Sequence, residues 1–247
     1  EDQAIEELDI KLNKAVKSRM ISDVPIGSFL SGGVDSSLIT ALMQANSESK
    51  VNTFSIGFNE DFYDEAQYAK QISKHLNTNH NELYVDSKDL INVIPDLPKI
   101  YDEPFADASQ IPTLLVSRLA KQKVSVALSG DGGDEIFGGY NRYIVAPRLY
   151  SWLKGKPLFL RRLAQKMIRS ISPKLWDRLS FTSNPHQGEK FHKAAGLLDA
   201  ESEWEIYLRL VQIWNSSVPV LGIDLEEKIQ HHPLWNKKNN FAERMML

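Results

Sequence analysis

The chain has 247 residues, of which 42% are hydrophobic and 25% are charged, and its formal net charge is −3. This balance gives no sign of a nucleic-acid partner or an anionic membrane surface, and no apolar run is long enough to span a bilayer. Cysteine is absent, which excludes disulfides, thiolate zinc sites and a cysteine nucleophile within this chain. The first nine residues are acidic and lack the apolar centre of a secretory signal, so we expect a cytoplasmic protein.

Strand-like and helical patterns alternate along the first part of the chain. The predicted helices cover residues 3–20, 34–45, 65–76 and 111–121, and the predicted strands cover 26–30, 51–58, 82–85 and 124–128. In the second helix we expect Leu38, Ile39 and Leu42 to face inward, whereas His80 is expected at the surface. Such alternation is typical of an α/β domain, in which a parallel sheet is covered by helices on both faces.

The composition changes near residue 148. All five tryptophans follow this point and runs of β-branched residues disappear. Residues 151–180 contain many Lys and Arg but only one acid, Asp177, and their interleaved apolar residues favour an amphipathic helix over a nucleic-acid site. We therefore predict a core over 1–147 and a C-terminal α-helical appendage over 148–247, with a loop around 183–188.

A glycine- and serine-rich turn, SGGVDSS at 31–37, joins the first predicted strand to the second predicted helix. The first backbone N–H groups of a helix are unpaired and bind anions, and Gly32 and Gly33 allow an oxyanion to approach closely. Asp35 suits such a place if magnesium lies between it and a phosphate. The turn lacks the lysine of the triphosphate-binding P-loop, which favours a site for pyrophosphate as leaving group. The alternative is a plain helix-capping turn.

A second glycine-rich acidic turn follows the last predicted strand of the core, in SGDGGDEIFGGY at 129–140. Ligands of parallel sheets bind beyond the carboxyl ends of the strands, where both turns are expected. Asp134 is the candidate second magnesium ligand opposite Asp35, and Asp131 is expected to face the group being activated. The alternative for Asp134 and Glu135 is a simple charge interaction with a helix N-terminus.

Four ordered motifs carry a resemblance to a known family. SDVPIGSFLSGGVDSS, FSIGF, YDEPFADASQIPT and LSGDGGDEIFGGYNRY resemble the synthetase domain of glutamine-hydrolysing asparagine synthetases, densely over residues 4–147 and more thinly beyond. The resemblance implies an adenine-nucleotide α-hydrolase-like, three-layer fold with a PP-loop. It also implies that ATP and Mg2+ activate the side-chain carboxylate of aspartate as β-aspartyl-AMP with release of pyrophosphate, and that ammonia then yields asparagine and AMP.

The resemblance also implies roles for individual residues. The expected pyrophosphate loop consists of Ser31, Gly32, Gly33, Asp35, Ser36 and Ser37. Leu30 and Ile56 are expected beside the nucleoside, Ser129 and Gly130 beside the adenylate, and Asp35 and Asp134 on magnesium. Asp131 stands where many members have Glu, and this position is linked to forming the adenylate. In the segment 102–109, Asp107 or Ser109 can cap the next helix, or the segment can contact the acyl acceptor.

Other functions remain open at this point. Because Asp131 also occurs in branches attached to surface-polysaccharide biosynthesis, the acceptor could be another acid, as it would be in a β-lactam-forming relative. A tRNA-modifying PP-loop protein and a non-catalytic nucleotide-binding module are further alternatives. We expect a fragment that lacks the N-terminal glutaminase domain and a later segment with a catalytic lysine, and that is weakly active or inactive. Its partners would be aspartate and ammonia, without nucleic acid or membrane, and the full-length protein could be a homodimer.

Overall fold

A computed structural model gives the fold and describes residues 1–58, 65–103, 107–179, 187–212 and 240–246. The chain forms two compact units, Glu1–Gly133 and Asp134–Leu247. The first unit contains a parallel sheet and the second is helical in its described residues. The predicted division after residue 147 was based on composition and stays a prediction.

The first unit is built on a four-stranded sheet in which every pairing is parallel, with the strand order β3-β2-β1-β4. Its strands are β1 (Ile26–Phe29), β2 (Asn52–Phe58), β3 (Asn79–Val85) and β4 (Val126–Leu128). Its helices are α1 (Asp2–Arg19), α2 (Val34–Ala45), α3 (Ala66–Leu76), α4 (Ser87–Val93), α5 (Leu97–Ile100) and α6 (Gln110–Lys121). A 3-10 turn, Ile94–Asp96, separates α4 from α5.

Helices cover both faces of this sheet because the strand side chains alternate between two apolar layers. On one face, Val16 of α1 and Leu42 of α2 are buried, and Ile26 of β1 packs against them. On the other face, Ala120 of α6 is buried with Phe54 of β2. The predicted α/β class, with a parallel sheet between two helical layers, is therefore confirmed.

Two predictions about burial were wrong. Leu38 is 41% exposed, because α2 turns Ser36 and Thr40 toward the sheet, where the Ser28 and Thr40 hydroxyls lie 2.9 Å apart. His80 lies within β3 with only 10% of its side chain exposed, not at the surface. Polar residues extend β3 to Asn79 because they pair with β2 along their backbones. Hydrophobic periodicity does not detect polar residues that find partners inside.

The register brings two turns to the same edge of the sheet. Ser28 of β1 is level with Leu128 of β4, and the two strands are parallel neighbours. The chain therefore leaves β1 toward Ser31 and leaves β4 toward Ser129 at the same carboxyl edge. This is the edge at which ligands of parallel α/β sheets bind.

The second unit buries an apolar cluster that includes Tyr143, Leu153, Ile206 and Phe241. Its helices are α7 (Gly133–Phe137), which begins at the boundary, α8 (Arg142–Lys154), α9 (Leu158–Ser170), α10 (Pro173–Leu179), α11 (Gln187–Ala195), α12 (Glu203–Val211) and α13 (Phe241–Met245). Of the loop predicted at 183–188, residues 183–186 lie outside the described residues.

The remaining two residues of that predicted loop, Gln187 and Gly188, instead begin α11, so the loop prediction was wrong there. The Gly188 N–H donates to the Asp177 carboxylate at 2.8 Å, which satisfies a donor at the start of the helix. Within the described residues, no helix combines the length and the apolarity that a membrane span requires.

Candidate functional site

The first turn presents backbone donors at the start of α2. Gly33 is the N-cap, in an extended conformation, and no side chain caps this end of the 12-residue helix. Among the described residues, the N–H groups of Val34, Asp35 and Ser36 have no hydrogen-bond acceptor. Such groups carry partial positive charge at the positive end of the helix dipole, which is the arrangement that suits an anion.

The serine hydroxyls of this turn bond to the turn itself. The Ser36 Oγ lies 2.9 Å from the Ser31 Oγ and accepts a bond from the Ser31 N–H at 3.2 Å. The Ser37 hydroxyl donates to the Gly33 carbonyl at 2.6 Å, and the Gly33 N–H donates to the Ser31 Oγ at 3.3 Å. The hydroxyls therefore hold the loop in shape, while the backbone N–H groups at the start of α2 are left for an anion.

Gly32 is required by both its conformation and its surroundings. Its φ is +88°, in the left-handed region that glycine adopts readily. A Cβ at this position would lie 2.7 Å from the Tyr68 Cβ and 2.9 Å from the Ala69 backbone nitrogen. The first turn is therefore pressed against the first turns of α3, with no room for a side chain.

The second glycine-rich turn lies against the first. A Cβ on Gly130 would lie 2.5 Å from the Ser36 backbone nitrogen and 2.8 Å from the Asp35 carbonyl carbon. A Cβ on Gly133 would lie 2.5 Å from the Asp35 Cγ and 2.7 Å from each carboxylate oxygen. The structure thus brings the two predicted turns together, with Asp35 and the α2 N-terminus between them and glycines where they touch.

The other predicted residues of the first unit lie in the second turn or in and next to the strands of the sheet. Asp131 is exposed and its carboxylate accepts a bond from the Ser129 hydroxyl at 2.9 Å. The Leu30 side chain is buried, and Ile56 is half-buried beside the apolar cluster on the α6 face of the sheet. Gly130 is half-buried in the turn that follows β4.

Asp134 lies in α7, in the second unit, where Gly139 leaves space for its carboxylate. A Cβ on Gly139 would lie only 1.9 Å from the Asp134 Oδ1, and the Gly139 N–H donates to the Asp134 carbonyl at 3.0 Å. The pairing of Asp134 with Asp35 on one magnesium ion stays a prediction. Within the described residues, no group of three or more His, Asp and Glu side chains forms a metal site.

The neighbouring Glu135 is bonded to Tyr140 of the same unit. The Tyr140 hydroxyl donates to the Glu135 carboxylate at 2.6 Å, and this bond raises the pKa of Tyr140 to about 12. The same hydrogen bond lowers the pKa of Glu135. The Arg142 guanidinium lies 4.0 Å from the centre of the Tyr140 ring, so the three side chains form one cluster, in which Glu135 is exposed and the other two are half-buried.

In the segment 102–109, Asp107 makes a side-chain bond just before α6, and neither Asp107 nor Ser109 makes the predicted side-chain cap of that helix. The Asp107 carboxylate accepts the Ser109 N–H at 2.8 Å, and this backbone bond lowers the pKa of Asp107. Ser109 is the N-cap of α6 but makes no side-chain cap bond. Residues 104–106 lie outside the described residues, so the predicted acceptor contact stays a prediction.

Three buried hydroxyl residues beneath the first turn were not singled out by the sequence analysis: Ser28, Thr40 and Ser55. They are 0%, 0% and 3% exposed, and they join the sheet to the two ends of the turn. The signal that could have found them is a hydroxyl at an inward-facing position of an otherwise apolar strand or helix. Such a group must have a partner inside, and here Ser55 bonds the Leu30 carbonyl, Thr40 bonds the Ser36 carbonyl, and Ser28 pairs with the Thr40 hydroxyl.

Comparison with known proteins agrees with this arrangement. The family model described as asparagine synthase matches residues 7–242, which include both glycine-rich turns. The chain belongs to the asparagine synthase family. The resemblance drawn from the four motifs is therefore confirmed at the level of the family.

Relatives with curated names match this asparagine synthase chain over part of their length. A putative asparagine synthetase (glutamine-hydrolyzing) 2 of Methanocaldococcus jannaschii is 46% identical over 164 residues, covering 66% of this chain and 32% of the relative. Asparagine synthetase (glutamine-hydrolyzing) 1 of Bacillus subtilis is 39% identical over 143 residues, covering 58% of this chain and 22% of the relative. The chain thus spans about a third or less of the length of these two relatives.

A longer and weaker match reaches almost the whole asparagine synthase chain. Asparagine synthetase (glutamine-hydrolyzing) 2 of Oryza sativa subsp. japonica is 29% identical over 256 residues, covering 93% of this chain and 41% of the relative. Among solved structures, an NH3-dependent NAD synthetase from Campylobacter jejuni is similar to 80% of this chain and 97% of its own, with a TM-score of 0.37 and 11% identity. A likeness of that degree does not establish a shared fold.

Proposed function

We propose that this chain binds ATP by its diphosphate end and takes part in ATP-dependent synthesis of an amide, with aspartate as the carboxylic acid. One observation carries the proposal: the N–H groups of Val34, Asp35 and Ser36 lack acceptors among the described residues. They lie where glycines of the second turn approach α2. A pyrophosphate group would supply the acceptors that these donors lack.

In the proposed reaction, an oxygen of the aspartate side-chain carboxylate attacks the α-phosphorus of ATP. The bond from that phosphorus to the bridging oxygen breaks, and pyrophosphate leaves with the electron pair. The fixed backbone N–H groups at the start of α2 stabilise the charge that grows on the leaving group. Ammonia then attacks the acyl carbon, AMP leaves, and the nitrogen loses a proton to give asparagine.

Magnesium fits the donors at this turn. Magnesium in nucleotide sites takes one or two carboxylates together with phosphate oxygens, and Asp35 offers such a carboxylate beside the free N–H groups. We propose that Asp35 holds the ion and that Asp134 is its second ligand, as predicted from the sequence. When bound, the ion would neutralise charge on the phosphate oxygens.

Ammonia is the proposed nitrogen donor, and its proposed source is glutamine hydrolysis of the kind stated in the relatives' names. A glutaminase domain that is not contained in these 247 residues would supply it, since the chain has no cysteine to act as nucleophile. A cytoplasmic location stays a prediction from the sequence.

A second candidate keeps the adenylation and changes the acid. It is favoured by Asp131, an exposed carboxylate bonded to Ser129, which stands where many family members have a longer acid. The shorter side chain would leave space for a larger acceptor beside the adenylate. Exchange of labelled pyrophosphate into ATP, measured with aspartate and with a panel of other carboxylic acids, separates the two candidates.

Substitution of Asp35 by Asn tests the proposed site. Loss of a charge-assisted contact worth about 1.5–3 kcal/mol predicts a roughly 10- to 150-fold weaker affinity for MgATP, measured by isothermal titration calorimetry. Asp23→Asn, an exposed position away from both turns, serves as the matched control and should bind as the unsubstituted chain does. Unchanged MgATP binding by Asp35→Asn would contradict the proposed site and favour a nucleotide-binding module without metal-dependent chemistry.

A further inference from the structure

The first turn is fixed from below by a buried hydroxyl of β2. Leu30, the last residue before SGGVDSS, donates its N–H to the Phe54 carbonyl at 3.0 Å, and the β1–β2 register ends at the preceding pair, Phe29 and Phe54. The carbonyl of Leu30 accepts the hydroxyl of Ser55, which is 3% exposed. A side-chain bond therefore holds the chain at the point where it leaves the sheet and enters the turn.

A second buried hydroxyl holds the other end of the turn. The Thr40 hydroxyl donates to the carbonyl of Ser36 at 2.8 Å and lies 2.9 Å from the Ser28 hydroxyl of β1. Thr40 has one proton, which goes to Ser36, so Ser28 donates to Thr40. Ser28 and Thr40 are both fully buried. This chain of bonds ties the first turn of α2, which presents the free N–H groups, to the strand beneath it.

We propose that Ser55 and Thr40 are positioning residues that set the geometry of the phosphate-binding turn. Ser55 fixes the chain at Leu30 and Thr40 fixes it at Ser36, so the backbone N–H groups between them are held in place before any ligand binds. Catalysis by fixed dipoles depends on such preorganisation, because donors that are already placed need no rearrangement during the reaction. The link to a nucleotide rests on the proposed function, whereas the bracing of the turn does not.

Ser55→Ala removes the hydroxyl from the Leu30 end, and Ser73→Ala is its matched control. Ser73 is also a buried serine, 4% exposed, but its hydroxyl pairs with Thr78, far along the chain from the turn. Amide hydrogen exchange is measured in both variants at the N–H groups of the turn that have acceptors, which are those of Ser31, Gly33 and Ser37. Loss of one buried hydrogen bond, about 1.4 kcal/mol, predicts roughly tenfold faster exchange in Ser55→Ala and no local change in Ser73→Ala.

Thr40 allows a test that separates the hydroxyl from its packing. Thr40→Val keeps the shape and removes the donor to Ser36, whereas Thr40→Ser keeps the donor. The proposal expects faster exchange of the Ser37 N–H, which donates to the Gly33 carbonyl at the start of α2, in Thr40→Val, and rescue in Thr40→Ser. Titration with MgATP should show about tenfold weaker binding for Ser55→Ala and Thr40→Val only, by the same hydrogen-bond value.

The outcomes distinguish the two proposals. If the hydrogen-bonded amides of the turn exchange equally fast in Ser55→Ala and Ser73→Ala, or if Thr40→Ser behaves as Thr40→Val, the positioning roles are overturned. If the unsubstituted chain binds no MgATP while the exchange results hold, the proposed function fails and the bracing of the turn stands. If exchange responds but MgATP affinity does not, the hydroxyls do not position the nucleotide site, and the proposal is overturned in that part.

Discussion

The contact between the two glycine-rich turns gives the sharpest test of the site, through Gly130→Ala. The added methyl would lie 2.5 Å from the Ser36 backbone nitrogen, 2.8 Å from the Asp35 carbonyl carbon and 3.0 Å from the Asp35 Cβ. Its neighbours are mainly backbone atoms of the first turn of α2, which cannot rotate away as a flexible side chain could. Either the α2 N-terminus or the second turn must therefore move.

The cost of this change follows from the distances. Carbon atoms pack at about 3.5–4.0 Å, so the turns must separate by roughly 1 Å. Overpacking of this kind costs about 1–3 kcal/mol. Gly130 does not have a positive φ, so alanine fits its backbone and returns about 0.4–1 kcal/mol by restricting the unfolded chain. The net loss of folding stability is therefore expected to lie between about 0 and 2.6 kcal/mol, with a central value of about 1.3 kcal/mol.

Gly132→Ala is the matched control, because it should lower the folding stability by a similar amount through backbone strain and not through a steric clash. A Cβ on Gly132 meets nothing within 4 Å, but its φ is +88°. The left-handed conformation costs an alanine about 1–2 kcal/mol. Urea denaturation should therefore rank the two variants close together, while calorimetry with MgATP should show more than tenfold weaker binding for Gly130→Ala alone. Equal MgATP affinities in the two variants would refute the reasoning that apposition of the turns shapes the site.

Two further predictions concern titration. Glu135→Gln should lower the pKa of Tyr140 from about 12 toward 10, because the bond to the carboxylate that stabilises the protonated phenol is lost. NMR of labelled tyrosine measures this pKa, and an unchanged value would show that Glu135 is not the cause of the raised pKa. Burial lowers the pKa of His80 below 6.5, so the unfolded chain binds the proton more readily. Stability should be fully present above pH 6.5 and should fall as pH drops through the lower folded value; His80→Asn should flatten this slope in urea denaturation, and an unchanged slope would contradict the prediction.

The sequence predicted the elements that obey simple patterns. Alternating strand and helix patterns fixed the parallel sheet, since strands joined through helices must run the same way. The glycines of the two turns indicated close approach of the backbone, and the structure shows it at Gly32 and Gly130, whereas Gly133 lies against the carboxylate of Asp35. The meeting of the two turns followed because both come directly after strands that are neighbours in the sheet.

Polar residues in buried positions were harder to predict. Leu38 was expected inside because it is apolar, yet α2 buries Thr40, whose hydroxyl has partners there. His80 was expected at the surface, yet its ring bonds the Thr53 hydroxyl at 2.8 Å within the sheet. Ser55 was read only as part of a strand. In each case a specific hydrogen-bond partner elsewhere in the sheet decides that the polar side chain is buried. A hydrophobic pattern along the sequence does not contain that information.

The serine hydroxyls, the backbone N–H groups and Asp35 have different roles in the first turn, and these roles affect whether ATP or MgATP binds there. The serine hydroxyls brace the loop, the first N–H groups of α2 have no acceptor among the described residues, and Asp35 lies among them. At the positive end of the helix the carboxylate is favoured by about 0.3–1 kcal/mol. A phosphate at about 4 Å would be repelled by about 4 kcal/mol at an effective dielectric constant near 20. Repulsion wins, so the turn should reject free ATP and accept MgATP. Asp35→Asn should therefore act with opposite signs, weakening binding of MgATP and strengthening binding of ATP in the presence of a chelator.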